Sequence, residues 1–182
     1  LKMIVDDNIH KVPAINNLAI CYEALGDVEK GKKLLQDYLD EDPYDIITWI
    51  NLGNLLARSN ELDEALKAFD IAFAIDDTNM ACLKNIARVY KVKGNFNKAI
   101  KYLDDAEKLD PNDYEVLIIK AECYLIMNKP KKAIKLFNTI LEEFTIIGKG
   151  VNIGKNCKIH RHIYIDDGVK IGNCVKIQDN VM

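Results

Sequence analysis

The stretch MACLKNIARVYKVKGNFNKAIKYLDDAEKLDPND, residues 80–113, decides the fold. Its apolar residues return at steps of three and four, as in Leu83, Ile86, Ala87 and Tyr90, and again in Ala99, Leu103 and Ala106. That spacing lays an apolar stripe along one face of a helix. Gly94-Asn95 separates the two runs with residues that suit a turn. Asp110-Pro111 stops the second run, because a residue before proline avoids the α region. The segment therefore reads as two amphipathic helices joined by a tight turn. One such pair cannot bury its apolar face alone and has to stack on copies of itself.

Copies are present on both sides. Ile15, Trp49, Leu83 and Leu117 are evenly spaced along the chain. The same interval separates Ala19, Gly53, Ala87 and Ala121, and also Tyr22, Leu56, Tyr90 and Tyr124. Small residues hold the slot at Gly31, Ala65, Ala99 and Ala133, where two helices approach closely, and large ones hold the slot at Leu35, Phe69, Leu103 and Phe137. Tyr38, Ala72, Ala106 and Ile140 complete the set, and Pro43 and Pro111 sit two repeats apart. This pattern, with its period of about 34 residues, resembles the tetratricopeptide repeat (TPR) over residues 12–143. The departures are Gly31 and Tyr38 at alanine slots, and Lys120 where a leucine is usual. The resemblance implies an α-solenoid with repeats at 12–45, 46–79, 80–113 and a shortened 114–143. Leu1 and Ile4 fall in register with a preceding repeat, so residues 1–11 read as its tail. Trp49 is expected in the core, where truncation to alanine would cost roughly 3–5 kcal/mol.

From residue 145 the period drops to six. Ile147, Ile153, Ile159, Ile165, Ile171 and Ile177 open successive hexads, with Val, Cys or Ile at the fifth position. Residues 145–182 resemble the hexapeptide repeat of left-handed parallel β-helices. The resemblance implies about two triangular coils of three hexads each, with Ile147 over Ile165 and Ile153 over Ile171. The whole chain is thus expected to be mainly α, a TPR α-solenoid followed by a truncated β-helix. The bare strand edge above Met182 implies a parent that continues, and the abrupt junction after Glu143 leaves a chimeric reading frame open.

Charge follows the same boundary. Residues 144–182 hold six Lys/Arg against three Asp/Glu, leaving nineteen against twenty-five before them, for −3 in all. That total is too mild for a nucleic-acid or membrane-surface protein. No apolar run reaches the roughly 18 residues of a membrane span. Five cysteines with no CxxC pair imply neither a disulfide framework nor a metal site, and point to thiols in a reducing, cytoplasmic setting.

In the TPR resemblance the first helix of each repeat lines a concave groove. Asn17, Asn51 and Asn85 share one repeat position, and an amide can both donate to and accept from a peptide backbone. They resemble the asparagine ladder of TPR proteins that grip extended peptides. Lys84, Arg88 and Lys91 share a helix face that could meet an acidic segment. The slots of the carboxylate clamp hold Asn16, Ile20, Ala81 and Asn85, so a chaperone tail is not the expected ligand. The hexapeptide resemblance implies acyl transfer from acetyl-CoA to an amine or hydroxyl, with His160 or His162 as general base and a homotrimer holding the cofactor between subunits. Two histidines in the segment are too few for the three-histidine zinc site of β-helical carbonic anhydrases. Three readings follow. This chain is expected to be a protein-interaction module binding a protein or peptide in the groove. The alternatives are a TPR-tethered acyltransferase active only in a longer parent, and a structural spacer.

Overall fold

The computed structural model describes the backbone at residues 8–143, 145–147, 152–153, 158–159, 163–165, 168, 170–172 and 176–177. Eight helices run in pairs among these residues: α1 (Asn8–Ala24), α2 (Val28–Glu41), α3 (Ile46–Arg58), α4 (Leu62–Ile75), α5 (Met80–Val92), α6 (Phe96–Leu109), α7 (Tyr114–Ile126) and α8 (Pro130–Glu143). The expected start of the first repeat at residue 12 falls inside α1, which already includes Asn8 to Lys11. Leu1 and Ile4 lie outside the described residues.

The sequence period recurs in the backbone itself. Between the helices of each pair stands a residue in the left-handed region: Gly26 at φ +81°, Asn60 at +64°, Gly94 at +74° and Asn128 at +55°. The following N–H closes each helix by reaching back into its last turns: Asp27 to Tyr22, Glu61 to Leu56, Asn95 to Tyr90, Lys129 to Tyr124, at 2.8–2.9 Å. Glycine and asparagine hold these sites because other side chains clash there. Between pairs, Asp42, Asp76 and Asp110 accept from the N–H two residues on. Asp45, Asn79 and Asp113 then cap α3, α5 and α7 by accepting from the N–H groups of Thr48, Cys82 and Val116.

The molecule divides into two compact units, residues 1–119 and 120–182. The core of the first runs through Leu35, Leu52, Leu55, Phe69, Cys82, Ile86 and Leu103. The small-residue slot does what its composition implies. A Cβ on Gly31 would stand 3.1 Å from the Ala19 carbonyl, and Ala65 and Ala99 are fully buried. Burial pushes the Cys82 thiol up to about 12, so it is an inert apolar group whose sulfur faces the Phe69 carbonyl at 3.2 Å. Trp49 corrects an expectation. It is only half-buried, with its indole N–H donating to the Pro43 carbonyl at 2.8 Å.

In the second unit the short strands β1 (Thr145–Ile147), β2 (Asn152–Ile153), β3 (Lys158–Ile159), β4 (Ile163–Ile165), β5 (Lys170–Ile171) and β6 (Lys176–Ile177) pair in parallel, β1 with β4, β2 with β5 and β3 with β6. The register sets Ile147 beside Ile165, Ile153 beside Ile171 and Ile159 beside Ile177, the same three-hexad offset each time. No helix among the described residues is long and apolar enough to cross a membrane.

Candidate functional site

Successive first helices α1, α3 and α5 lie side by side, and two depressions run between them. One, of about 200 Å³, is lined by Ile20 and Glu23 of α1 and by Asn51, Asn54 and Arg58 of α3. The next, of about 340 Å³, is lined by Asn54, Arg58, Asn85 and Arg88. Asn54 and Arg58 line both, so the two depressions adjoin along one trough, whose lining also includes the apolar Leu35, Leu55, Phe69 and Val89. Two of the expected asparagines, Asn51 and Asn85, stand in it, half-buried. Asn17 is exposed on α1 and lines neither depression. Its neighbour Asn16 is the α1 asparagine that lines the first depression, though it is largely buried and accepts from the Thr48 hydroxyl at 3.4 Å.

The basic residues are already engaged. Lys84 Nζ lies 2.9 Å from Asp113 and 2.6 Å from Glu115. Arg88 pairs with Glu115 and donates to Asn85 Oδ1 at 2.9 Å, while Lys91 is half-buried one turn on. Burial pulls the Lys84 ammonium down, but the bonds it donates to Glu115 and Asp113 outweigh this and hold it above the ordinary lysine range. Burial likewise pushes the Asp113 carboxyl up, yet Lys84 and the Val116 N–H hold it below its usual value. Lys84 first, and then Arg88, keep Glu115 low as well. Lys84 and Arg88 are thus charge-balanced within the chain, and their geometry is fixed.

Asn54, Arg58 and Glu23 were not singled out from the sequence. Arg58 forms a two-pronged pair with Glu23, one arm at 2.6 Å, which fixes the trough's edge between α1 and α3. The signal for Asn54 was available, since it stands one helical turn after Asn51 and one repeat before Arg88. His160 and His162 lie outside the described residues, and no cluster of metal-binding side chains occurs among those described.

Two family models described as tetratricopeptide repeat match residues 16–79 and 92–145. The helical part of this chain is a tetratricopeptide-repeat array. A third model, bacterial transferase hexapeptide (six repeats), matches residues 144–181. Among curated proteins, tetratricopeptide repeat protein 8 of Caenorhabditis elegans is 27% identical over 127 residues, covering 70% of this chain and 25% of that protein. The TPR repeat-containing protein YpiA of Bacillus subtilis is 28% identical over 132 residues, 72% of this chain and 31% of that one. The chain spans between 7% and 25% of the length of the first curated relatives it matches. Among solved structures, a crystal structure of MamA superposes with a TM-score of 0.65 over 77% of this chain and 82% of that one, at 18% identity. A tetratricopeptide repeat protein from Parabacteroides merdae also gives 0.65, at 22% identity, over 72% and 52%. As a tetratricopeptide array, the helical part is a protein–protein interaction module.

Proposed function

We propose that the trough along α1, α3 and α5 holds an extended segment of a partner protein, gripped through its backbone by Asn51, Asn54 and Asn85, with Asn17 extending the row. The observation that carries this is that Asn54 and Arg58 line both depressions, which places the two side by side across successive repeat junctions. Each amide can meet both a backbone N–H and a carbonyl, so a row of them suits a peptide whose sequence varies. Of the three cations, Arg88 lines the second depression, and Lys84 and Lys91 stand on the same helix, α5. With Asp113 and Glu115 already on Lys84 and Arg88, Arg88 orients Asn85 and forms part of the wall, and the two cations do not leave a bare positive pocket. The test is a selection of displayed random peptides on the wild-type chain and on an Asn51→Ala/Asn54→Ala/Asn85→Ala variant of unchanged helicity. Selected peptides should bind the variant at least about tenfold more weakly, the equivalent of ~1.4 kcal/mol from one or two lost hydrogen bonds. Equal binding would sink the reading.

A second reading concerns the hexads. We infer that residues 145–182 form about two coils of a left-handed β-helix, in domain terms a unit separate from repeats 12–45, 46–79, 80–113 and 114–143. The hexapeptide model and the constant strand offset support it. In a longer parent these coils would belong to a trimeric acyltransferase using acetyl-CoA, with His160 or His162 as base. Light scattering checks the assembly: a trimer favours this reading, and a monomer of 20.7 kDa opposes it for this chain.

A further inference from the structure

One face of α1 is apolar, uncharged and exposed. Ala14, Leu18, Cys21 and Leu25 are all exposed, and their steps of four, three and four align them in one narrow stripe. The N–H of Leu25 bonds to the Cys21 carbonyl at 3.1 Å, so Leu25 continues the last turn of α1. The stripe lies opposite Asn16, Ala19 and Glu23, which face the core and the trough. Across residues 12–25 the only charged side chain is Glu23, and it is paired with Arg58.

The repeat shows that this is a helix-packing face. The counterparts of Ala14, Leu18 and Cys21 are Thr48, Leu52 and Leu55 in α3 and Cys82, Ile86 and Val89 in α5, and all six are buried. The preceding repeat covers them. Thr48 donates to Asn16 of α1 at 3.4 Å, a Cβ on Gly31 of α2 would stand 3.2 Å from Leu55, and the Cys82 sulfur meets the Phe69 carbonyl of α4 at 3.2 Å. On α1 the same slots are open. Residues 8–11, the counterparts of the turn at 42–45 between α2 and α3, are helical in α1. Among the described residues, therefore, no helix folds back onto the stripe as α2 does onto α3.

We propose that a second copy of this chain covers the stripe, the two α1 helices packing antiparallel about a two-fold axis between Leu18 and Cys21. The spacing is self-complementary about that axis. Ala14 meets Leu25 of the partner subunit, and Leu18 meets Cys21 of the partner subunit, so a small side chain faces a large one in every layer. A two-fold axis brings each charge near its own image, and the stripe carries none to repel. A single helix pair is a small interface, so the dimer is weak and fills at high protein concentration. Ile20 and Glu23 stay on the trough side, so the dimer presents two troughs to a partner that carries two segments.

The test is the mass of the full chain by light scattering at about 1 mM, a concentration that populates even a weak dimer. Wild type should show twice the mass of Leu18→Glu, and this factor of two holds whether or not the hexads assemble the chain further. Leu25→Lys, at a residue 77% exposed, should halve the mass in the same way with helicity unchanged, which keeps the test valid if Leu18→Glu folds poorly. Orientation is read by oxidation in a Cys21→Ala/Cys157→Ser/Cys174→Ser background, where the remaining Cys82 and Cys123 are buried. There, Ala14→Cys chains mixed with Leu25→Cys chains should cross-link at least about tenfold faster than either alone. Equal masses for wild type and both charged variants would overturn the proposal and leave the stripe to another partner. Like-with-like cross-linking as fast as the mixed reaction would overturn it too, by excluding the antiparallel register.

Discussion

Gly53 and Phe69 form the tightest glycine contact in the first unit. A Cβ built on Gly53 would stand 2.5 Å from the buried Phe69 ring. Gly53→Ala should therefore displace the ring and destabilise the chain by roughly 1–3 kcal/mol, as overpacking does. The midpoint of a urea transition measures it. At the left-handed turn residues the sign is reversed between neighbours. Asn60→Gly should stabilise by up to ~1 kcal/mol, since glycine takes φ +64° without strain, and Gly94→Ala should destabilise by a similar amount. Trp49 shows where a repeat pattern misleads. The slot is buried at Leu83 and Leu117, at 1% and 2% exposure, so the pattern expects a buried Trp49 too. Truncation at this half-buried ring should cost well under the ~3–5 kcal/mol of a fully buried one. Burial at that slot depends on what faces it, and that is decided by other positions of the repeat.

At the scale of the element, Asp113 caps α7 and also holds Lys84 of α5, so one carboxylate ties the end of one repeat to the helix of another. Lys32 reaches from α2 to Glu61 at the head of α4 across the same sequence separation. Removing the cation in Lys84→Met should lower stability by about 1 kcal/mol near neutral pH, because two carboxylates lose a charged donor. The sign of the pH dependence follows from the directions of the shifts. Asp113 and Glu115 are held low, so their contribution is present above the ordinary carboxylate range, about pH 4, and is lost as pH falls through their folded values. Lys84 is held high, so its contribution is present below about pH 10.4 and fades as pH rises through its folded value. The gap between wild type and Lys84→Met should be flat from about pH 5 to about pH 10 and close at both ends. A gap that did not change below about pH 4 would mean that the loss is one of packing alone. These pairs were not legible in the sequence. A shared helix face showed that Lys84, Arg88 and Lys91 point together, but the partners of Lys84 and Arg88 enter from the cap and first turn of the following first helix, at a distance that no single-helix pattern reports. The asparagines were legible because a repeat translates one position into a row.

At the scale of the molecule, one repeat period was enough to place eight helices and their turns, since each repeat solves the same packing problem with the same slots. The hexads likewise anticipate the three-hexad offset between paired strands. What repetition does not convey is how the copies differ, as in Asn54 against Arg88, and Leu56 with Ala68 against Tyr90 with Tyr102. The same logic predicts an uneven stability. In a linear array a helix is held by its neighbours alone. α3, α4 and α5 bury residues along much of their length, from Thr48 to Leu56, Ala65 to Ala72 and Cys82 to Val89. α1 buries only Asn16 and Ala19 among its described side chains, leaving Leu18 44% and Ile20 50% exposed. Native-state amide exchange should therefore show α1 opening at a lower free energy than α3–α5, whose amides should exchange near the global unfolding limit. Because Ile20 and Glu23 of α1 line the trough, a peptide held there should slow exchange in α1 more than in α5. Equal protection of α1 and α5 without peptide would mean that the array opens as one cooperative block, and the trough would then be rigid before any partner arrives.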